Sequence, residues 1–247
     1  MKAGSIIFRF RMLFMAILIV IGFSAPWIGL WGLGSRISLL EWFGLHISRL
    51  GLLSFSAATA VVIVSGALVA ALGALLRIWG SAWLGHGIVI NSNMQAAQLM
   101  ADGPFRYVRN PLYMGMYLWV AAMSLVMPAS GAFFVLIAVA LLIGVLIAGE
   151  EAFLSASLGE SYRTYLATVP RILPRLRTTL SVSGNKPRWK QAVLSEIYPI
   201  VVFITIAFLS WTYDEKLMWR ALLIGFGLSL LARALMPGLR TETSSPQ

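Results

Sequence analysis

The chain has 247 residues, 59% of them hydrophobic and 11% charged, with a mean hydropathy of +0.84. A soluble domain carries about 25% charged residues, so this composition excludes a disordered chain and most soluble enzymes and points to a polytopic membrane protein. The formal net charge is +10, and Arg supplies 15 of the 19 cations. These cations sit between apolar spans, so orientation and anionic lipid explain them better than nucleic acid does. Cysteine is absent and His46 and His86 are the only imidazoles. Disulfides, thiolate nucleophiles, Cys-based metal sites and His-rich metal clusters are therefore excluded.

Six segments approach the roughly 20 apolar residues that a bilayer core of about 30 Å requires. They are 12–33, 50–76, 112–127, 132–148, 193–211 and 217–235. The expected fold is an all-α polytopic membrane protein with six transmembrane helices. The first segment follows Lys2, Arg9 and Arg11, but it is longer than a signal-peptide core, and Gly22-Phe-Ser-Ala-Pro26 is a poor cleavage site, so it reads as a retained helix. The middles of the first four segments hold no Asp, Glu, Lys or Arg, which argues against an ion or proton path. The third and fourth segments are short, and the turn residues Pro128-Ala-Ser-Gly131 join them, so they read as a tight helical hairpin.

With the N-terminus in the cytoplasm, 15 of the cations fall inside and 4 outside, the latter being Arg36, Arg49, Lys216 and Arg220. The positive-inside rule then gives both termini cytoplasmic, in what is expected to be a bacterial inner (plasma) membrane. The acidic turn Tyr213-Asp-Glu-Lys216 fits an outside loop. The stretch 175–190 is basic and carries Ser, Gly and Pro, which suits a linker along the headgroups with Trp189 as an interfacial anchor. The expected layout is a first helix and external loop over 1–49, a core over 50–174, a basic linker over 175–192 and a two-helix extension over 193–247.

Polar chemistry concentrates in two stretches, 77–111 and 149–174, which flank the hairpin and so meet on one side of the membrane. The first ends in Gly103-Pro-Phe-Arg-Tyr-Val-Arg-Asn-Pro-Leu-Tyr-Met-Gly115. Pro111 suits the first turn of the third helix, where its missing N–H is not needed. Asn110 then falls at the N-cap, with a side chain able to accept a backbone N–H. Gly115 allows a neighbouring helix or a ligand to come close. The plain structural reading, a capped helix start with interfacial Arg and Tyr, does not explain so many polar and small residues in thirteen positions.

The second stretch opens on Glu150-Glu151 at the end of the fourth helix. Adjacent carboxylates there are unfavourable without cations. Either they pair with Arg106, Arg109 or Arg163 in a helix that runs on, or they bind a positively charged ligand. Then come Gly159-Glu-Ser-Tyr-Arg-Thr-Tyr165 and Val169-Pro-Arg171. Tyr162 and Tyr165 share a face if helical, and Arg163 and Arg171 are donors suited to carboxylate or phosphate. Interfacial anchoring is the plain alternative for these residues and suffices for Arg175 and Arg177. His86 could act as a base, although a lone loop His is more often structural.

Arg109-Asn-Pro-Leu-Tyr-Met-Gly115 resembles the Arg-His-Pro-x-Tyr-x-Gly segment of the isoprenylcysteine carboxyl methyltransferase family, which is related to the membrane phospholipid N-methyltransferases. Glu150-Glu151-Ala-Phe-Leu154 resembles that family's Glu-Glu-x-x-Leu motif. Gly159-x-x-Tyr162-x-x-Tyr165 with Val169-Pro-Arg171 resembles its closing segment, and Leu76-Arg-Ile-Trp79 with Leu84-Gly85 resembles its approach. The likeness covers about 50–174. It implies S-adenosylmethionine as methyl donor near the cytoplasmic face. By position it implies cofactor contacts from Tyr107, Arg109, Asn110, Tyr113, Gly115, Glu150 and Glu151. Asn110 departs from the family's His, so a titrating base at that position is not supported.

Methyl transfer from a sulfonium is a direct displacement that needs alignment more than acid–base machinery, and it requires no metal. Carboxylates suit the cofactor's ammonium group and Tyr faces its sulfonium. Arg163 and Arg171 suit an acceptor carboxylate or phosphate, with Arg171 favoured by its place in the Val-Pro-Arg match. The expected partner is a lipid or amphiphilic acceptor, carboxylate or amine, that enters laterally. A membrane reductase using NADPH and a non-enzymatic scaffold or transporter are the competing readings. The first lacks a basic cluster for a 2′-phosphate, and the second lacks buried charge in the first four spans.

Overall fold

A computed structural model describes residues 2–26, 36–84, 101–178, 180, 186–212 and 215–235. Its elements are α1 (Lys2–Arg9), α2 (Arg11–Phe23), α3 (Leu39–Arg49), α4 (Phe55–Leu84), a 3-10 turn (Gly103–Arg106), α5 (Pro111–Ser124), α6 (Ala129–Leu158), α7 (Glu160–Thr168), α8 (Trp189–Ser195), α9 (Ile197–Thr212) and α10 (Glu215–Leu235). The protein is all-helical among the described residues, as expected.

The spans differ from the expected six in length and continuity. Among the described residues, two helices, Phe55–Leu84 and Ala129–Leu158, are long and apolar enough to cross a membrane, and α8 with α9 makes a third if the bent pair is one span. At 13 and 14 residues, α2 and α5 reach only about 20 Å, short of a bilayer core of about 30 Å. α4 and α6 instead run past their expected ends, so Arg77 and the Glu150-Glu151 pair lie inside helices.

The fifth span is broken at Glu196, with a bend of 66°. Pro199 in the first turn of α9 accounts for it. Proline has no N–H to offer the Ser195 carbonyl, and its ring crowds that same carbonyl, so a continuous helix cannot form.

α3 lies in the expected external loop. Its start is a capping box, with Ser38 Oγ accepting from the Glu41 N–H at 3.2 Å and Glu41 Oε2 accepting from the Ser38 N–H at 2.8 Å. Ser-x-x-Glu is the sequence signal for this arrangement. The Leu39 and Leu40 N–H groups, orphans of the first turn, donate to the Met127 and Leu125 carbonyls at 2.8 Å. This pins α3 to the connection between α5 and α6.

α4 is the hub, packed against α3, α5, α8, α9 and the 3-10 turn. Its face toward α5 is set by Gly66, Gly73 and Gly80, seven residues apart and hence nearly in line along the helix. They meet Leu125, then Gly115 with Trp119, then Leu112. A Cβ on Gly73 would lie 2.9 Å from the Gly115 carbonyl oxygen and 3.0 Å from the Trp119 nitrogen. The two backbones touch there, as in small-residue helix interfaces. The main core follows from this contact: Ile63, Ala70, Trp119, Val120 and Met123 close onto Val135, Val139 and Ile147 of α6 and Val202 of α9.

Gly73→Ala should therefore force α4 and α5 apart and destabilise by about 1–3 kcal/mol, partly offset by the helix preference of Ala. Gly144→Ala on α6, where a Cβ meets nothing within 4 Å, should be neutral or stabilising by up to about 1 kcal/mol. Unfolding in detergent micelles should rank the two variants in that order.

Candidate functional site

The two polar stretches meet at the end of the bundle opposite the α5–α6 connection. They run antiparallel to each other. The Arg109 N–H donates to the Pro170 carbonyl at 2.9 Å, and the Arg175 N–H donates to the Tyr107 carbonyl at 3.0 Å. Asn110 does not cap α5 with its side chain. Its Nδ2 donates to the Arg171 carbonyl at 3.0 Å instead, so this residue stitches the motif to the closing segment.

Glu151 stands at the centre, with its side chain 9% exposed. Arg109 Nη1 lies 3.4 Å from Oε1, and Arg171 reaches both oxygens, through Nε at 3.3 Å and Nη2 at 2.5 Å. A buried carboxylate needs cations and hydrogen bonds, and one motif supplies each Arg. The Arg171 guanidinium titrates even higher than usual because Glu151 accepts its hydrogen bonds and attracts its charge. Among the described residues, Arg109 Nε and Trp83 Nε1 are buried without a hydrogen-bond partner. Such donors are rare and point to an unfilled contact.

Glu150 faces the other way. Tyr113 donates its hydroxyl proton to Glu150 Oε2 at 3.0 Å. Arg11, at the start of α2, acts electrostatically on both groups. Its guanidinium is steadied by the Phe8 ring at 4.2 Å and the Phe8 carbonyl at 3.0 Å. Of the Arg partners that one of the two readings offered, Arg109 pairs with Glu151 alone, and Arg171 joins it. Arg106 instead donates to the Leu180 carbonyl.

The closing segment forms a small second core. Gly159, at φ +60°, turns the chain from α6 into α7, a conformation suited to a residue without Cβ. Tyr162 and Tyr165 do share a face, with ring centroids 5.8 Å apart. They are buried with Val169 rather than anchored at an interface. The Tyr165 hydroxyl donates to the Phe105 carbonyl at 2.8 Å, and burial pushes the Tyr162 phenol up to about 12.

Other expected site residues are placed differently. Arg163 is 70% exposed and 3.6 Å from Glu160 on the same helix, away from Glu151. Gly115 faces α4, where a Cβ would lie 2.6 Å from the Gly73 carbonyl oxygen, so of its two expected uses the helix contact is the one seen. Tyr107 lies against the Trp79 ring at 6.2 Å between centroids. Arg175 donates to the Thr168 carbonyl at 2.9 Å, so it fastens the closing segment and is more than an anchor. His86 and Gly85 fall outside the described residues.

Four further residues near this end take part that the motifs do not assign to the site. Arg11 counts in the sequence as an orientation charge, and Arg77 opens the polar stretch without a role of its own. Ser81 and Glu196 belong to no motif, yet Glu196 is fully buried and pairs with Arg77 at 2.5 Å. The signal was a lone acidic residue just before a helix-breaking Pro in an apolar segment.

Residues 61–161 match the phospholipid methyltransferase family. That span holds Arg109–Gly115 and Glu150-Glu151 and agrees with the resemblance read from these motifs. No curated protein and no solved structure matches the chain. The match is thus to a methyltransferase family over part of the chain, and it spans most of the two helices that are long and apolar enough to cross a membrane. Arg171 and the Arg11 helix lie outside the match.

The two ends of the Glu151–Arg171 pair should be unequal. Glu151→Gln leaves the Arg109 side chain, 12% exposed, without its counter-charge and should destabilise by about 3–5 kcal/mol. Arg171→Gln removes a side chain that is 54% exposed and should change stability by no more than about 1 kcal/mol. Thermal unfolding of the two variants in detergent checks this.

Proposed function

We propose that the chain is an integral membrane methyltransferase that uses S-adenosylmethionine and methylates a lipid or amphiphilic acceptor, carboxylate or amine, at the cytoplasmic face. The observation that carries this reading is the meeting of Arg109, Tyr113, Glu150 and Glu151 at one end of the hairpin, inside the segment that matches the phospholipid methyltransferase family.

The donor set fits the cofactor. Arg109 Nε–H, buried and unpartnered, suits its carboxylate. The carboxylates of Glu150 and Glu151 suit its ammonium group. The Tyr113 ring, fixed by its hydroxyl on Glu150, offers a face to a cation. When bound, the cofactor would supply an electrophilic methyl group on a sulfonium.

The remaining work is positioning. Displacement at a methyl carbon gains most from alignment of donor and acceptor, and every site residue here is tied to a second element. Asn110 is committed to the Arg171 carbonyl and cannot titrate near neutrality, so it orients rather than moves a proton. The half-exposure of Arg171, already on Glu151, supports a role for it in holding an acidic group of the acceptor. The 70% exposure of Arg163 gives that role less support. Acceptor access from the bilayer agrees with the exposed apolar side chains along α4 and α6, such as Leu68, Leu72, Ile137 and Leu141.

Calorimetric titration of the purified protein with S-adenosylmethionine and, separately, NADPH tests this reading. Binding of the first alone is expected. Glu150→Gln and Tyr113→Phe should each weaken it about tenfold, about 1.4 kcal/mol. Unchanged affinity in both variants would remove the pair from the site, and NADPH binding alone would replace methyl transfer with reduction. Labelled methyl transfer into extracted lipids then identifies the acceptor.

A further inference from the structure

We propose that Glu196, in the C-terminal extension beyond the matched segment, is a positioning residue for the Tyr113–Glu150 pair, acting through Arg77.

The geometry is a buried relay. Glu196 is 0% exposed, and its carboxylate takes Arg77 Nε at 2.5 Å, Arg77 Nη2 at 3.0 Å and the Ser81 hydroxyl at 2.5 Å. Both of its oxygens are therefore bonded. The third guanidinium nitrogen, Arg77 Nη1, donates to the Leu112 carbonyl at 3.2 Å. Leu112 precedes Tyr113 in the first turn of α5, and Tyr113 holds Glu150. A single planar guanidinium thus joins the C-terminal extension to the turn that carries the site's Tyr. The rigid fork of Arg permits this bridging, and the point charge of Lys would not reproduce it.

The charge arrangement gives the relay a purpose. Arg77 and Arg11 are close enough to act on each other, and both act on Tyr113. A carboxylate on Arg77 removes its need for another anion. Glu150 is then left to Tyr113 and Arg11. Without Glu196, Arg77 is a buried cation beside the Tyr113–Glu150 pair, and burial drives it to find a counter-charge. The break at Pro199 is what lets Glu196 face α4: it ends α8 at the level of Ser81 and Arg77. The start of α8 is fixed there too, since the Arg188 N–H donates to the Ala82 carbonyl at 2.7 Å.

The inference rests on the proposed function for its ligand but not for its structural consequence, and the test separates the two. In the full chain in lipid nanodiscs, Glu196→Gln is compared with wild type by hydrogen exchange over the first two turns of α5 and by S-adenosylmethionine affinity. The expected result is exchange about tenfold faster there and binding about tenfold weaker. The double variant Glu196→Gln/Tyr113→Phe should bind no more weakly than Tyr113→Phe alone, because both changes act through one pair. Ser81→Ala, a milder change, should shift both readouts about threefold in the same direction if Glu196→Gln does not fold.

Additive losses in the double variant would overturn the proposal. So would unchanged affinity of folded protein despite a lowered Tm, which would make Glu196 only a brace. If wild type binds no S-adenosylmethionine, the proposed function fails, and the exchange result alone decides whether Glu196 positions α5.

Discussion

A carboxylate buried in an apolar bundle must bring its cations with it, and this protein meets that requirement twice at one end. Glu151 draws Arg109 from the start of α5 and Arg171 from the closing segment. Glu196 draws Arg77 and Ser81 from α4. An isolated buried charge costs several kcal/mol, so each carboxylate obliges two distant parts of the chain to meet. The antiparallel pairing of 107–110 with 170–175 and the seating of α8 on α4 follow from that obligation. Apolar packing alone cannot specify such meetings, because one aliphatic face fits many partners in lipid nearly as well as another.

The electrostatic centre needs helices brought close enough for short side chains to reach. The glycines of α4 supply that. Where Gly73 and Gly115 cross, the two backbones are in contact, and Arg77 lies one turn further along α4. From there it reaches the first turn of α5. A wider helix separation would carry Arg77 away from the Leu112 carbonyl. The packing of the membrane core and the arrangement of the polar end are thus one geometric problem.

Much of this was legible in the sequence. The composition gave an all-helical membrane chain, and Pro128 with its small neighbours gave the hairpin. Paired carboxylates and the Arg109–Gly115 run marked where polar chemistry gathers. Other features were hidden by how they were counted. Arg11 counts as an orientation charge and Arg77 as the edge of a polar stretch, and neither count says which face of a helix carries them. The Ser38–Glu41 capping box sat in a loop read only for its charge. Pro199 was absorbed into a hydrophobic average, so the broken α8–α9 pair passed as one span. The partner of Glu196 lies 119 residues away, and no local pattern encodes a pairing at that distance.

The amide of Asn110 bears on how this end of the bundle is held together. An imidazole can both bind and exchange a proton near neutrality, whereas an amide can only bind. Here one amide N–H donates to the Arg171 carbonyl, which fixes the residue that also holds Glu151. The bond ties the start of α5 to the closing segment. The guanidinium that it steadies stays half-exposed at the edge of the cluster, so the buried carboxylate of Glu151 is held by one Arg within the bundle and by another at its surface.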